Sequence, residues 1–318
     1  MNVKTEVLHY LVDNSNSYVS GVLLANKLSC SRMAVCKAVS SLQAEGYSID
    51  CHKRLGYKLN PGFDVLSKVS LQKDFLGTDI GVFFYNEIES TNKKAKELLL
   101  EGAQTPFVVV AKEQSGGRGR LGRSFSSPEG GLYFSLAIGG KELVNPDLIT
   151  TSASLAVSRA MERLSGMETQ IKWVNDLYLD GKKVTGILTE GLVNIEEGGL
   201  ESVVIGIGVN LNVKTDQFPP EIQKIATSFY PDGNCPFSRS IAIAECVKEV
   251  FKVQHEDFLQ EYRRKCFVVG KKLDVIRMDS RREATALAID DQGHLVVQYL
   301  DETIESLSSG EVSLKNIE

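Results

Sequence analysis

The stretch KWVNDLYLDGKKVTGILTE, residues 172–190, contains two apolar runs rich in β-branched residues, which read as the strands of a hairpin. Between them they carry Lys172, Asn175, Asp176 and Lys183, so cations, an amide and a carboxylate converge at one end. Such a set can hold a polyanion with its Mg2+ and orient an incoming amine. A surface hairpin of salt bridges fits less well, because Trp173 and its β-branched neighbours demand a buried face.

Two neighbouring segments extend this polar set. Residues 116–123 read GGRGRLGR after a strand that ends near Glu113. Their four glycines allow positive φ and close approach of a ligand, and Arg118, Arg120 and Arg123 are permanent cations with bidentate donors, so an anion is the expected guest. The segment lacks the Gly-Lys-Ser/Thr of a Walker loop, and it leads through Ser124 to Pro128 toward a strand, unlike a dinucleotide-binding turn. Residues 206–212, GIGVNLN, form an apolar strand whose glycines permit close backbone approach and which buries Asn210. Around these motifs, residues 106–112, 132–138, 184–190 and 202–212 read as strands, and 91–101, 147–165 and 240–264 have helical periodicity. The middle of the chain is therefore a mixed α/β or α+β domain.

Toward the N-terminus, Thr5 to Val12, then Val22, Leu23, Leu24 and Leu28, then Arg32 to Ala44 repeat apolar residues at helical spacing. Ser31 is placed to cap the third helix and Gly46 to end it. Tyr47 to Leu59 alternates as a ribbon turning near Lys53 to Gly56, and Pro61-Gly62 punctuates the boundary. Three helices and a ribbon make winged-helix order. On the third helix Val35, Val39 and Leu42 share one side. Met33, Lys37 and Ser40 share the other, with Arg32 at the N-terminal end, as a major-groove face requires, and Lys53 and Arg54 on the wing suit phosphates. Taken alone, these residues also suit a small helical domain with solvated charges. After Gly270 the chain reads as short strands, 271–277, 283–290, 294–300 and 303–307, with an Asp290-Asp291-Gln292-Gly293 turn: a small β-barrel or sandwich.

The chain has 318 residues, 42% hydrophobic and 24% charged, enough for two domains or two with a small appendage. The net charge of −5 argues against nucleic acid, but residues 1–60 hold seven Lys/Arg against four Asp/Glu, a local +3, which leaves −8 for the rest. The six cysteines form no C-x-x-C pair and have no histidine at metal-ligand spacing, so they read as reduced small hydrophobes. Apolar runs are of strand length and the first residues lack signal-peptide order, so a cytoplasmic protein without a membrane segment is expected.

Ser90-Thr91-Asn92, Gln114, Gly117-Arg118-Gly119-Arg120, Gly122-Arg123, Lys172-Trp173, Asn175-Asp176, Lys183, Gly186-Ile187-Leu188, Gly206-Ile207-Gly208, Asn210, and Phe218-Pro219 to Ala226-Thr227-Ser228 stand in the order of the biotin protein ligases, which this chain resembles over about residues 85–230. With the two flanking modules, the resemblance extends to the class that doubles as the biotin operon repressor. It implies an α+β fold in three parts: a winged helix-turn-helix DNA-binding domain over 1–64, a class II aminoacyl-tRNA synthetase/biotin ligase-like catalytic domain over 65–269 that binds biotin and ATP, and an SH3-like β-barrel over 270–318.

The implied activity is ATP- and Mg2+-dependent formation of biotinyl-5'-AMP, then transfer of biotin to a lysine of a biotin carboxyl carrier domain, as in acetyl-CoA carboxylase. The adenylate would also act as corepressor, with the homodimer on operator DNA. By the same resemblance Ser90, Thr91, Asn92 and Gln114 bond the ureido ring, Arg118 grips carboxylate and phosphate, and Gly119 and Arg120 line the biotin site. Lys183 sits at the reacting carboxylate and α-phosphate. Asp176 lies where the acceptor lysine arrives, and Arg123, Lys172, Asn175 and Asn210 hold the nucleotide end. Residues 213–228 resemble the segment that folds over the adenylate. Val174 replaces the family's proline, while Leu121 and Phe125 stand where some relatives carry Arg and Trp. Three rival readings are a lipoate-type ligase, a biotin-sensing transcription factor without ligase activity, and a ligase whose winged helix no longer represses.

Overall fold

In the computed structural model, residues 3–14, 17–44, 47–60, 66–194, 199–277, 280–308 and 310–314 are described. The expected helix end at Gly46 and the Pro61-Gly62 boundary lie outside them. The chain forms two compact units, residues 1–78 with 236–244 and residues 79–235 with 245–318.

The first unit contains α1 (Val3–Asp13), α2 (Gly21–Lys27), α3 (Arg32–Ala44), the antiparallel ribbon β1 (Ile49–His52) and β2 (Gly56–Leu59), and α4 (Lys68–Asp74). Ser31 caps α3 as expected, its hydroxyl accepting from the Ala34 N–H at 3.1 Å. Val35, Val39 and Leu42 are buried against Val7, Leu11 and Leu24, each burial worth about 1.5–3 kcal/mol. That leaves Arg32, Met33, Lys37 and Ser40 on the exposed side of α3, with Lys53 and Arg54 exposed at the ribbon turn. Val22 and Leu23, part of the apolar pattern of α2, are 44% and 45% exposed; only Leu24 and Ala25 of that helix reach the core.

The second unit is built on β3 (Gly81–Ile88), α5 (Thr91–Leu100), β4 (Phe107–Gln114), β5 (Leu132–Gly139), α6 (Ile149–Ser165), β6 (Gln170–Lys172), β7 (Asp176–Leu179), β8 (Lys182–Asn194) and β9 (Gly199–Val209). Their seven strands run β3-β4-β5-β9-β8-β7-β6; the β3 to β4 pair, joined through α5, is parallel and the other pairs are antiparallel. Alternation along β8 decides what each face carries. Thr189 meets Thr150 of α6, whereas Leu188 and Glu190 meet Asn92 at the start of α5. The two helices therefore cover opposite faces, and β5 up to Ile138 and β4 up to Ala111, covered on both, are buried.

The chain continues through α7 (Pro220–Gln223), α8 (Arg239–Val253) and α9 (Leu259–Lys265). Residues 240–264 are thus two helices, not one. The N–H groups of His255 and Glu256 turn back three residues, to Lys252 and Val253, which tightens and ends α8, and buried Phe258 precedes α9. Then β10 (Lys272–Arg277), β11 (Ser280–Ile289), β12 (Leu295–Tyr299), β13 (Ile304–Leu307) and β14 (Glu311–Leu314) form one antiparallel sheet, ordered β13-β12-β11-β10-β14. The expected turn joins β11 to β12: an Asp290 carboxylate oxygen accepts from Gln292 and His294 N–H at 2.9 Å, and Gly293 takes φ 73°. Cys246 and Cys266 are buried as small hydrophobes, but Cys36 and Cys51 are exposed; all six thiols are free. Among the described residues no helix is long and apolar enough to cross a membrane.

Candidate active site

A cavity of about 750 Å³ opens on the sheet face that carries α5. Ser90, Thr91, Asn92, Gln114, Arg118, Gly119, Arg120, Arg123, Lys172, Asn175, Asp176, Lys183 and Asn210, singled out from sequence in four separate segments, all line it. Ser90 caps α5, accepting from Lys93 N–H, so Thr91 and Asn92 occupy the first turn and are held nearly buried. Gln114 ends the neighbouring strand and reaches across: its Oε1 accepts from the Thr91 N–H at 2.8 Å, and its Nε2 donates to the Ser127 hydroxyl at 2.9 Å.

The hairpin β6-β7-β8 behaves as its sequence requires. Trp173 is buried, its Nε1 donating to the Gly293 carbonyl at 3.0 Å. Antiparallel register puts Lys172 opposite Asp176, and a bulge after Leu177 brings Lys183 to the same side, with Nζ 2.6 Å from Asp176 Oδ1. Asn175 is locked by donating to the Ile187 carbonyl at 2.6 Å, and Arg120 donates to its Oδ1 at 3.5 Å. Where the resembling family has proline, the Val174 carbonyl accepts from Ser154 Oγ at 2.9 Å and from the Tyr262 hydroxyl at 3.1 Å. Complete burial pushes the Tyr262 phenol well above its usual range, and the Arg120 guanidinium opposes that shift. Its contact with Asn175 sets Arg120 into the cavity wall, while Arg118 is 68% exposed at the rim, 3.8 Å from Glu89.

The glycines act differently from expectation. Of the four in residues 116–123 only Gly122 has positive φ, and Leu121 adopts φ 54° beside it. Gly117 is required by contact: a Cβ there would stand 2.4 Å from the Phe125 carbonyl. Gly186 and Gly208 are cross-strand partners, and the Phe125 ring lies over the pair, within 3.0 and 2.5 Å of where their Cβ atoms would stand. At Gly206 the space is taken by the Asn92 amide. The close approach is thus made by the protein's own side chains. Asn210 is buried as expected; its Nδ2 donates to the Thr227 carbonyl at 3.1 Å, and its Oδ1 has no hydrogen-bond partner among the described residues.

Residues 213–228 close one side. Lys183 N–H donates to the Ile225 carbonyl and Thr227 N–H to the Lys183 carbonyl, each at 2.9 Å, which ties this segment to the backbone of the lysine itself. Phe218, Ile222 and Ala226 face the cavity, as do Ile276, Val312 and Ser313 of the C-terminal sheet and Gly310 just before β14, which sequence reasoning missed. No local pattern marks those four; only the packing of that sheet brings them there.

This sheet and its basic, glycine-floored cavity, together with an N-terminal helix-turn-helix, define a protein ligase of the biotin/lipoate class. The Biotin/lipoate A/B protein ligase family matches residues 84–210, an HTH domain matches 4–58 and the Biotin protein ligase C terminal domain matches 276–315. Bifunctional ligase/repressor BirA of Bacillus subtilis (strain 168) is 30% identical over 332 residues, 98% of each chain, and that of Escherichia coli (strain K12) is 24% identical over 96% of this chain and 95% of that one. The biotin protein ligase from Aquifex aeolicus in complex with biotin and ATP superposes with a TM-score of 0.63 at 27% identity, over 74% of this chain and 98% of that one. The chain belongs to the family of bifunctional biotin ligase/repressors.

Proposed function

We propose that this chain joins biotin to ATP as biotinyl-5'-AMP and passes the biotin to a lysine of a biotin carboxyl carrier domain, and that the adenylate-bound form dimerises and represses at operator DNA. The observation that carries the ligase half is the convergence of thirteen residues from four segments on one cavity, with Lys183 and Asp176 paired on its wall. In the first step a biotin carboxylate oxygen attacks the α-phosphorus and pyrophosphate leaves. Two like charges at 4 Å repel by about 4 kcal/mol at an effective dielectric near 20. Lys183 and Arg120 line the cavity to offset that repulsion, with Arg118 at its rim. In the second step the acceptor amine attacks the acyl carbon, AMP departs, and the amine loses a proton beside Asp176.

Asn210 Oδ1, a buried acceptor without a partner among the described residues, suits a donor at the nucleotide end, where Arg123, Lys172 and Asn175 add charge and amide contacts. The cavity wall has few carboxylates, Asp176 and Glu221, and among the described residues no group of three or more His, Cys, Asp or Glu could hold a metal. That donor set fits a Mg2+ that arrives on the triphosphate, with Asp176 its candidate protein ligand; when bound, the ion neutralises phosphate charge. Residues 213–228, anchored at Lys183, are placed to shield the adenylate from water.

The parts act over 1–64, 65–269 and 270–318. Arg32, Met33, Lys37 and Ser40 meet the major groove and Lys53 and Arg54 the phosphates, in the cytoplasm where acceptor and operator reside. The test supplies ATP, Mg2+, biotin and a carrier domain to wild type and Lys183→Ala. Because the loop is held by backbone atoms of residue 183, the variant should fold and lose adenylate formation by about 10³-fold. Label transfer at the wild-type rate would refute the role of Lys183.

A further inference from the structure

Behind the cavity wall a chain of polar groups runs through the sheet, from Glu190 and Ser135, which the readings above leave unassigned, to Thr91 and Gln114 on the wall itself. Asn92 Nδ2 donates to Glu190 Oε2 at 2.8 Å and to the Leu188 carbonyl at 3.2 Å, so its Oδ1 faces Ser135. An amide oxygen only accepts; the single proton of the wholly buried Ser135 hydroxyl is therefore spent on Asn92 Oδ1, at 2.6 Å. Thr91 Oγ1 lies 2.7 Å from Ser135 Oγ, and a proton must stand between them. Only Thr91 has one left to give.

The far side is determined in the same way. Ser127 gives its proton to the Phe125 carbonyl, so it accepts from Gln114 Nε2, and Gln114 Oε1 is turned toward Thr91, 3.1 Å from Thr91 Oγ1. One lone pair of Gln114 Oε1 is taken by the Thr91 N–H at 2.8 Å; the other stands beside those of Thr91 Oγ1, an arrangement that wants an N–H from outside the protein. At the head of the chain, burial pushes the Glu190 carboxyl upward, but the hydrogen bonds from Lys96 and Asn92 outweigh it and hold it below its ordinary range. Lys96 Nζ is 2.7 Å from Glu190 Oε1.

We propose that Glu190 and Ser135 are positioning residues for the bound ring: acting through Asn92, they orient the Thr91 hydroxyl so that its lone pairs, with the one left on Gln114 Oε1, receive a ring N–H of biotin. This rests on the reading that the cavity takes biotin. It differs from the expectation that Asn92 itself bonds the ring, since both ends of its amide are engaged within the protein.

Ser135→Ala frees the Thr91 hydroxyl to turn and donate to Gln114 Oε1, consuming the acceptors. The experiment is calorimetric titration of the full chain with biotin and with biotin methylated at each ring nitrogen in turn. Ser135→Ala should weaken biotin about tenfold, while its affinity for the compound methylated at the recognised nitrogen, already lacking that N–H, stays within twofold of wild type and the KM for ATP does not move. Glu190→Gln, which keeps an oxygen for Asn92 but not the charge, should weaken biotin about threefold with the same pattern, and it decides the matter if Ser135→Ala does not fold. Equal losses for biotin and both methylated compounds, or no loss, overturn the proposal. Failure of the wild type to bind biotin overturns instead the reading of the cavity.

Discussion

Gly206→Ala isolates the packing that holds the site together. The added methyl would stand 2.1 Å from Asn92 Oδ1 and 2.8 Å from its Cγ. An ordinary contact begins near 3.4 Å, so the amide must retreat by about 1.3 Å. The side chain has nowhere to retreat cheaply. Its bonds to Ser135 at 2.6 Å and Glu190 at 2.8 Å would stretch beyond hydrogen-bonding distance, and both partners are set in strands. Losing one neutral and one charge-assisted bond costs about 2–4 kcal/mol, which lowers the melting temperature by roughly 5–10 °C for a unit of this size. Biotin affinity should fall by at least about tenfold, because Thr91 moves with Asn92 in the first turn of α5. Thermal unfolding and calorimetric biotin titration on the same preparation check both. A Gly206→Ala protein that melts within 1 °C of wild type and binds biotin equally well would refute the argument.

The remaining expectations concern other parts of the molecule. Arg118→Gly, at the exposed rim, should still form adenylate but release it to stray lysines, seen as biotinylation of bystander proteins, whereas Arg120→Gly, beside Asn175, should weaken substrate binding itself; identical behaviour of the two would contradict the inward placement of Arg120. If the adenylate is the corepressor, footprinting of the operator should show tighter binding with biotin plus ATP than without, and Lys53→Ala should reduce the salt slope by about one unit; equal occupancy in both conditions sinks the corepressor idea. Arg159 lies 2.6 Å from Glu256 and from Glu261, and its hydrogen bonds hold both carboxyls below their usual 4.5. Their contribution, about 1–2 kcal/mol for these part-exposed pairs, is complete above pH 4.5 and is lost as pH falls through the lowered values. Urea melts of Arg159→Met should therefore differ from wild type at pH 7 and converge with it in acid.

The elements legible in the chain were those decided by near neighbours. Val35, Val39 and Leu42 recur at helical spacing and bury one side of α3 whatever else the chain does, so the face carrying Lys37 and Ser40 followed. Lys172 to Asp176 and Lys183 to Gly186 lie on consecutive hairpin strands, so their meeting needed only antiparallel register. Charge and glycine placement marked Arg118, Arg120, Arg123, Lys172, Asn175, Asp176, Lys183 and Asn210, because polar groups gathered on apolar strands have few other uses; Ser90, Thr91, Asn92 and Gln114 carry no such mark and followed from the family resemblance alone.

What tertiary structure alone decided depends on partners distant in sequence. The parallel strand β3 and the break between α8 and α9 carry no local signature strong enough to read. Gly186, Gly206 and Gly208 could be recognised as sites of close approach, yet only the register of β8 on β9 shows that Phe125 and Asn92 are what approach. Ser135 looks like any small residue of a buried strand, and Glu190 like a strand end, until the fold sets both against Asn92. Periodicity is a property of a segment and survives in the sequence; a hydrogen-bond direction belongs to the whole network and exists only once residues 91, 114, 135 and 190 have met.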